Sequence, residues 1–296
     1  MKYRLATETW DHKEYEIIKK VVKSGNFTMG QYVKKFEEKC AKHFNSKYCV
    51  MVNSGSSANL LMVASLFFKK NKPLKTGDEV IVPSVSWSTT YAPLQQYGLK
   101  VKFVDIDINS LNICTKSLEK SITKRTKMIL AVNLLGNPNN FSEIKKLIKN
   151  KNIYLIEDNC ESLGSKFNNK YTGNFGLMGS HSTFFSHHIS TMEGGFILTQ
   201  NKEIYHILLS LRAHGWTRNL PERNTLTGVK SKNDFDESFK FILPGYNVRP
   251  LEMSGAIGIK QLDKVNSIVK SRQKNATLFK KVASKFSWFD IQEEIK

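Results

Sequence analysis

The stretch KYCVMVNSGSSANLLMVASLFF, residues 47–68, joins a short apolar run, a glycine turn and a longer apolar run in one continuous sequence. The first run is typical of a buried strand, and the last has the periodicity of a helix. Between them, Gly55 allows a tight turn, and Ser56 and Ser57 begin the helix where backbone N–H groups lack partners. The stretch therefore predicts a strand–turn–helix unit.

The same alternation continues from residue 47 to residue 200. Further strands are predicted at 78–84, 99–107, 128–136, 153–158 and 195–200. Helices are predicted at 88–98, around 141–150 and at 202–213. This rhythm predicts an α/β fold with a doubly wound, mostly parallel sheet. In such sheets, ligands bind at the carboxyl ends of the strands.

Composition limits the classes of partner. The 296 residues carry 45 Lys+Arg against 26 Asp+Glu, a formal charge of +19. The lysines fall on the polar sides of amphipathic segments and no nucleic-acid-binding motif accompanies them, so we expect a solvated basic surface and no nucleic-acid partner. Its field would favour an anionic small-molecule substrate. No apolar run reaches the roughly 18 residues of a membrane helix, and no signal peptide is evident; we expect a cytoplasmic protein without a membrane partner.

Several residues at predicted strand ends could bind a ligand, and each has a plainer interpretation. Gly55 and Ser56 at a helix start suit a phosphate group, but a serine there is also an ordinary helix cap. Trp87 could stack on a planar ring or pack in the core. Asp158, at the end of a strand, could pair with a protonated ring nitrogen or cap a helix; Glu161 follows three residues later.

The segment GSHSTFFSHHISTMEGG, residues 179–195, contains adjacent histidines. A zinc site is one interpretation, but the pair lacks a spaced carboxylate or cysteine partner, and we predict no metal site. Surface histidines without a role are a second interpretation. General acid/base chemistry near neutral pH is a third. The four cysteines show no CxxC spacing and are predicted to be free thiols.

Taken in order, these segments resemble the DegT/DnrJ/EryC1/StrS family of sugar aminotransferases and dehydratases. The match runs from SGNFTMGQYVKKFEEKCAKHF through SGSSANLL, VPSVSWSTT, IEDNCESLG and HHISTMEGG to PGYNVRPLEMSGAIG. It implies a fold-type I transferase with pyridoxal 5'-phosphate (PLP) or pyridoxamine 5'-phosphate (PMP) as cofactor. The cofactor contacts that the resemblance implies are Gly55, Ser56, Trp87, Asp158, Glu161, Ser182 and Asn247.

The resemblance also assigns roles. Gly55, Ser56 and Ser182 would hold the phosphate, Trp87 would stack on the ring, and Asp158 would keep the ring nitrogen protonated. Glu161 would lie near the ring hydroxyl. A further segment containing Asn247 and Arg249 would reach the neighbouring subunit's active site, which implies a homodimer, with Arg249 binding substrate.

In the aminotransferases of this family, a lysine lies six residues before the glutamate of the EGG motif. Counting back from Glu193 gives His187, which is also five residues after Ser182. Imidazole can transfer protons but cannot hold the cofactor covalently as a lysine amine does. The resemblance therefore narrows to the dehydratases that remove the C3 hydroxyl of a nucleotide-linked 4-keto-6-deoxy sugar. His187 would be their acid/base and His188 a substrate contact, although the spacing leaves the other assignment open.

The predicted reaction ends with a 3-deoxy-4-keto sugar and ammonia, and glutamate would restore the cofactor's amine. Two rival functions stay open: a PLP-dependent sugar aminotransferase and a catalytically silent relative that binds cofactor. We predict a cofactor-binding large domain at 1–260, including N-terminal helices at 11–45. We expect 261–296 to begin a small C-terminal domain that is truncated in this sequence.

Overall fold

The computed structural model describes residues 8–295. The strands are β1 (Tyr48–Val52), β2 (Glu79–Pro83), β3 (Lys100–Val104), β4 (Thr126–Val132), β5 (Tyr154–Asp158), β6 (Lys166–Phe167), β7 (Lys170–Tyr171), β8 (Met178–Ser182), β9 (Gly195–Thr199), β10 (Arg223–Asn224) and β11 (Gly228–Val229). The helices are α1 (His12–Ser24), α2 (Gln31–His43), α3 (Gly55–Phe67), α4 (Ser88–Gln96), α5 (Thr115–Ser121), α6 (Phe141–Ile148), α7 (Lys202–Leu211), α8 (Asp234–Ser238), α9 (Glu252–Leu262) and α10 (Val265–Ala283).

Seven strands form the central sheet in the order β1-β9-β8-β5-β4-β2-β3. The pairs β2–β3, β2–β4, β4–β5 and β5–β8 are parallel. Strand β9 runs antiparallel to both β8 and β1, so β1 points the same way as the rest. The predicted doubly wound, mostly parallel sheet is confirmed, with β9 as the one reversed strand of these seven.

Helices cover both faces of the sheet. Val50 and Val52 of β1 pack with α3, α4 and α7 on one face. Cys49 and Met51, which alternate with them, pack with α2 and the start of α10 on the other face. Alternate residues of a strand point to opposite faces, so a strand buried on both faces is apolar throughout. Helix α3 is apolar on nearly all sides because the sheet and α4 and α7 enclose it.

The N-terminal and C-terminal helices pack together. Helix α1 begins with a capping box of Asp11 and Glu14 and ends at Gly25, whose φ of 68° is the left-handed conformation that glycine adopts without strain. The Lys264 ammonium lies 2.8 Å from Glu14 and 2.9 Å from Asp11. The segment after Pro250 forms two helices, α9 and α10, and Lys264 lies at the break between them.

Some predicted elements differ from the structure. The strand predicted at 128–136 ends at Val132, because the chain turns into a 3₁₀ helix in which Leu135 has a φ of 54°. Strand β8 and helix α5 were not predicted. No helix among residues 8–295 is long and apolar enough to cross a membrane. The prediction that the chain has no signal peptide concerns its N-terminus, and residues 1–7 lie outside the described residues.

Candidate active site

Three of the predicted site residues, Gly55, Asp158 and Ser182, lie at the carboxyl edge of the sheet. Strand β1 ends beside Ser54, whose side chain accepts a hydrogen bond from the Ser57 N–H and caps α3. Strand β5 ends at Asp158 and β8 at Ser182. Because β1, β5 and β8 point in one direction, these three ends share one edge, as expected for the ligand site of a doubly wound sheet.

Gly55 is in close contact with the end of β8. A Cβ on Gly55 would lie 2.7 Å from Ser182 Cβ and 2.9 Å from Cys160 Sγ. A Cβ on Gly195, the first residue of β9, would lie 2.6 Å from the Gly55 nitrogen. The first turn of α3 is therefore held against β8 and β9, with its unpaired N–H groups next to the Ser182 hydroxyl. This arrangement fits the predicted phosphate cradle.

The carboxylate of Asp158 is only 5% exposed and is surrounded by donors. Its Oδ2 accepts hydrogen bonds from Asn59 Nδ2 and from Thr90 Oγ1, each at 2.8 Å. Its Oδ1 accepts from the Cys160 N–H at 3.1 Å. The Ser180 hydroxyl donates to Asn59 Oδ1 at 2.6 Å and lies 3.5 Å from Asp158 Oδ1. A buried carboxylate needs such donors to keep its charge.

Trp87 precedes the first residue of α4 and its side chain is 70% exposed. The core-packing interpretation of this residue is therefore wrong. Three residues later in the same turn, Thr90 is fully buried and bonds Asp158. Next to it, Thr89 accepts a hydrogen bond from Ser56 Oγ at 2.9 Å, which joins the starts of α3 and α4. The indole is thus attached to the same turn that contacts the carboxylate.

Glu161 lies on the loop after β5 and supports a strained turn. Its Oε2 accepts a hydrogen bond from the Leu135 N–H at 3.0 Å. Leu135 has a φ of 54° and a 66% exposed side chain. A non-glycine residue in this region costs free energy and persists only where neighbours hold it. Glu161 is one of those neighbours, and the charge of its carboxylate also acts on His187.

The loop at 183–194, between β8 and β9, carries the two adjacent histidines. Hydrogen bonds between Thr183 and Gly194 and between Thr191 and Thr183 close its base. The His187 N–H donates to the Phe184 carbonyl at 2.9 Å, so the tip of the loop is a tight turn. Both histidine rings are therefore presented on a loop with a fixed base.

The two histidines differ in their surroundings. Burial lowers the pKa of His187 below its ordinary value of 6.5, while the carboxylates of Glu161 and Asp158 act in the opposite direction. Burial lowers the pKa of His188 to about 3, and the charge of Arg272 acts in the same direction. His188 Nδ1 is buried and has no hydrogen-bond partner in the described part of the chain. Of the pair, His187 is the one whose charge is coupled to the site's carboxylates.

The remaining two predicted residues, Asn247 and Arg249, lie on a partly exposed segment. Arg249 Nε donates to Asn247 Oδ1 at 3.0 Å, and the Asn247 side chain is solvent-exposed. The adjacent Val248 carbonyl accepts from the Asn53 N–H at 3.0 Å, so the segment passes beside the end of β1. No hydrogen bond between side chains within 8–295 joins Asn247 or Arg249 to the cluster around Asp158.

Sequence reasoning missed three residues of this cluster: Asn59, Thr90 and Ser180. Each is buried and polar, and Asn59 is the lone amide in an otherwise apolar stretch of α3. A polar residue inside an apolar helix is the signal that could have identified it, because such a group needs a partner. The cysteines are free, as predicted. In residues 8–295, no group of three His, Cys, Asp or Glu residues could hold a metal ion.

Comparison with known proteins decides the family. The model of the DegT/DnrJ/EryC1/StrS aminotransferase family matches residues 8–291. The chain belongs to this family. It is 63% identical over 292 residues to a GDP-4-keto-6-deoxy-D-mannose 3-dehydratase of Escherichia coli O55:H7, covering 99% of this chain and 75% of that protein. It is 61% identical to the enzyme of that name from Yersinia pseudotuberculosis, covering 99% and 74%.

Solved structures of such dehydratases have the same fold. The E. coli GDP-4-keto-6-deoxy-D-mannose 3-dehydratase with bound hydrated PLP has a TM-score of 0.98 at 63% identity, over 99% of this chain and 76% of that one. Two more structures of a GDP-4-keto-6-deoxymannose 3-dehydratase match equally well; one contains a trapped PLP–glutamate geminal diamine, and the other is a histidine-to-asparagine variant with bound GDP-perosamine. The predicted fold-type I class is confirmed.

Proposed function

We propose that the chain is a PLP/PMP-dependent 3-dehydratase that removes the C3 hydroxyl of a nucleotide-linked 4-keto-6-deoxyhexose. The observation that carries the proposal is the loop at 183–194, which contains His187 and His188 and no lysine, beside an intact Asp158 cluster. Asp158 can pair with the cofactor's ring nitrogen, but the loop has no lysine that could bind the cofactor covalently. This combination fits a deoxygenation reaction. The two relatives above 60% identity, both named 3-dehydratases, support the same reaction.

The residues fit the cofactor on physical grounds. Glycine at position 55 brings the N–H groups of α3 beside Ser182, and any larger side chain would occupy that space. A helix N-terminus with hydroxyls is suited to a phosphate. The exposed indole of Trp87 offers a face for a ring, and the buried Asp158 offers a charge for a ring nitrogen. When bound, the cofactor supplies an amine that reacts with ketones and a ring that withdraws electrons.

His187 has the properties of a proton carrier. Because burial lowers its pKa below 6.5, the ring is mostly neutral at pH 7 and can accept a proton. As imidazolium, it would donate the accepted proton to the departing C3 hydroxyl, which would leave as water. The nearby carboxylates of Glu161 and Asp158 stabilise that charged form, so neither state is prohibitively costly.

Supporting roles in this proposal belong to His188, Asp158 and Glu161. His188, with a pKa of about 3, stays neutral and would contact the sugar as a hydrogen-bonding group. Asp158 would keep the ring nitrogen protonated, and Glu161 would lie near the ring hydroxyl. We assign glutamate as the amino donor and a nucleotide-linked sugar as substrate; the glutamate and GDP-perosamine bound to a relative support both classes.

The proposal includes a homodimer. Asn247 and Arg249 would reach the neighbouring subunit's active site, where Arg249 would bind substrate and Asn247 the cofactor. The Asn247 side chain is exposed and hydrogen-bonded to the half-buried Arg249, and this position at the surface supports the assignment. Free cysteines support a cytoplasmic location, since cytoplasmic thiols are kept reduced.

A domain boundary near residue 260 is also proposed. The large domain would take residues 1–260, and residues 261–296 would belong to a smaller C-terminal domain. Helix α9 ends at Leu262 and α10 begins at Val265, and this break supports the position of the boundary.

The test is product analysis. The purified chain is incubated with PLP, glutamate and a panel of nucleotide-linked 4-keto-6-deoxy sugars, and products are identified by mass spectrometry. We expect a 3-deoxy-4-keto sugar with no nitrogen, together with ammonia. An isolated 4-amino sugar would instead show an aminotransferase. Cofactor binding without turnover of any sugar in the panel would favour the catalytically silent relative.

A further inference from the structure

Asn59 is buried, and both the nitrogen and the oxygen of its side-chain amide are hydrogen-bonded. The side chain is 2% exposed and lies in α3, where leucine, methionine, valine and alanine follow it. Its Nδ2 donates to Asp158 Oδ2 at 2.8 Å, and its Oδ1 accepts from Ser180 Oγ at 2.6 Å. Because the Asp158 carboxylate can only accept, the amide nitrogen must face it, which leaves the amide oxygen to accept from the Ser180 hydroxyl.

The Asp158 carboxylate is held from several directions by elements that are far apart in sequence. Asn59 comes from α3, Thr90 from α4 and the Cys160 N–H from the loop after β5. Thr90 is in turn hydrogen-bonded to Ser86 at 2.8 Å. With two donors on Oδ2 and one on Oδ1, the carboxylate has little freedom to rotate, and its negative charge is stabilised although it is buried.

We propose that Asn59 is a positioning residue, which holds the Asp158 carboxylate in the orientation that meets the cofactor's ring nitrogen, so that this nitrogen keeps its proton. A hydrogen bond donated to a carboxylate favours the charged form. Without the amide, the carboxylate would lose one of the two donors on its Oδ2 and could rotate away from the ring nitrogen, which would then hold its proton less well. The inference rests on the cofactor part of the proposed function, but not on which sugar reaction follows.

A packing role alone does not account for an amide at this position. Leucine has the same branching at Cγ and would match the apolar neighbours, whereas a buried amide is costly unless its groups are paired. In Asn59 both groups are paired, one with Asp158 and the other with Ser180, so the residue connects the carboxylate to β8.

The test is the variant Asn59→Leu loaded with PLP that carries ¹⁵N in its ring. Without substrate, the ring ¹⁵N chemical shift reports whether that nitrogen is protonated. We expect the signal to move towards the value of unprotonated pyridine. With substrates, we expect kcat to fall about 10- to 100-fold, the effect of one charge-assisted hydrogen bond, with KM for the sugar nucleotide little changed.

The matched control is Ser65→Ala, which removes another buried polar group from α3 whose hydroxyl donates to the Met62 carbonyl. It should leave the ¹⁵N signal unchanged. If Asn59→Leu does not fold, Ser180→Ala tests the same claim, because it releases the amide and should move the signal in the same direction by less. A wild-type ¹⁵N signal in a folded Asn59→Leu or, in its place, Ser180→Ala would overturn the inference. Absence of PLP binding by the unaltered chain would refute the proposed function as well.

Discussion

Replacing Gly55 by alanine tests the cradle directly, because the structure shows what the added methyl group would meet. The Cβ would lie 2.7 Å from Ser182 Cβ and 2.9 Å from Cys160 Sγ. Carbon atoms in contact are ordinarily about 3.5–4.0 Å apart, so the start of α3 and the end of β8 must separate by roughly 0.8 Å. Ser182 Cβ is bonded directly to Cα and cannot rotate away, whereas Cys160 Sγ can move only by rotation about its Cα–Cβ bond.

The overlap sets the expected size of the changes in the free energy of unfolding and in PLP affinity. Added volume at a tightly packed position costs about 1–3 kcal/mol. Alanine is a better helix former than glycine by about 1 kcal/mol, which offsets part of the loss in the free energy of unfolding. If the strain is relieved by widening the cradle, PLP binding weakens by about 5- to 150-fold, since 1.4 kcal/mol is tenfold in Kd.

The assay is titration of the cofactor-free protein with PLP, followed by absorbance, alongside thermal unfolding. Ser56→Ala is the matched variant, because it removes a hydroxyl from the same turn without adding volume. Losing one hydrogen bond of about 0.5–1.5 kcal/mol, it should weaken binding by about 2- to 13-fold. Wild-type affinity in a folded Gly55→Ala protein would refute the assignment of the cradle to this turn.

Three more predictions follow from the site. His187→Asn should retain PLP but lose about 10²- to 10⁴-fold in kcat, and the wild-type rate should rise with pH through a value below 6.5 and then level off; undiminished turnover would contradict the acid/base role. Trp87→Ala should weaken PLP binding by about 1 kcal/mol, or fivefold, without lowering the melting temperature, because the indole is 70% exposed; a lower melting temperature with unchanged binding would instead indicate packing. Burial lowers the pKa of His181 to about 3, so the unfolded chain binds more protons than the folded chain below pH 6.5. This difference should lower the free energy of unfolding by about 2 kcal/mol between pH 6.5 and pH 5. The free energy of unfolding of His181→Phe, measured with urea, should depend less on pH.

Most of the sheet was predictable because its strands are apolar runs between turns. Strand β8 was missed because its sequence, MGSHS, contains one large apolar residue, although all five residues are buried. Their burial comes from neighbouring strands and from α3, not from a local pattern. Similarly, the strand at 128–136 was extended too far because the apolar residues of the following 3₁₀ turn resemble a strand.

The site was predictable where a motif fixes the spacing and not where the fold brings residues together. Gly55, Asp158 and Ser182 lie at ends of elements, and their common edge follows from a parallel sheet. Asn59 and Ser180 are 121 residues apart, and only the tertiary structure shows their hydrogen bond. Spacing alone favoured His187 over its neighbour, and burial and charge now give a physical difference between the two rings.

The position of β9 has a consequence for biosynthesis. β1 lies at the sheet edge and pairs with β9, which the ribosome makes more than 140 residues later. Until residues 195–199 emerge from the exit tunnel, β1 has no strand with which to pair, and the turn that joins it to α3 is not held in place. Such long-range pairing is slow to form. PLP binding is therefore a late step in the folding of the chain, and a nascent chain arrested before residue 195 should not retain PLP.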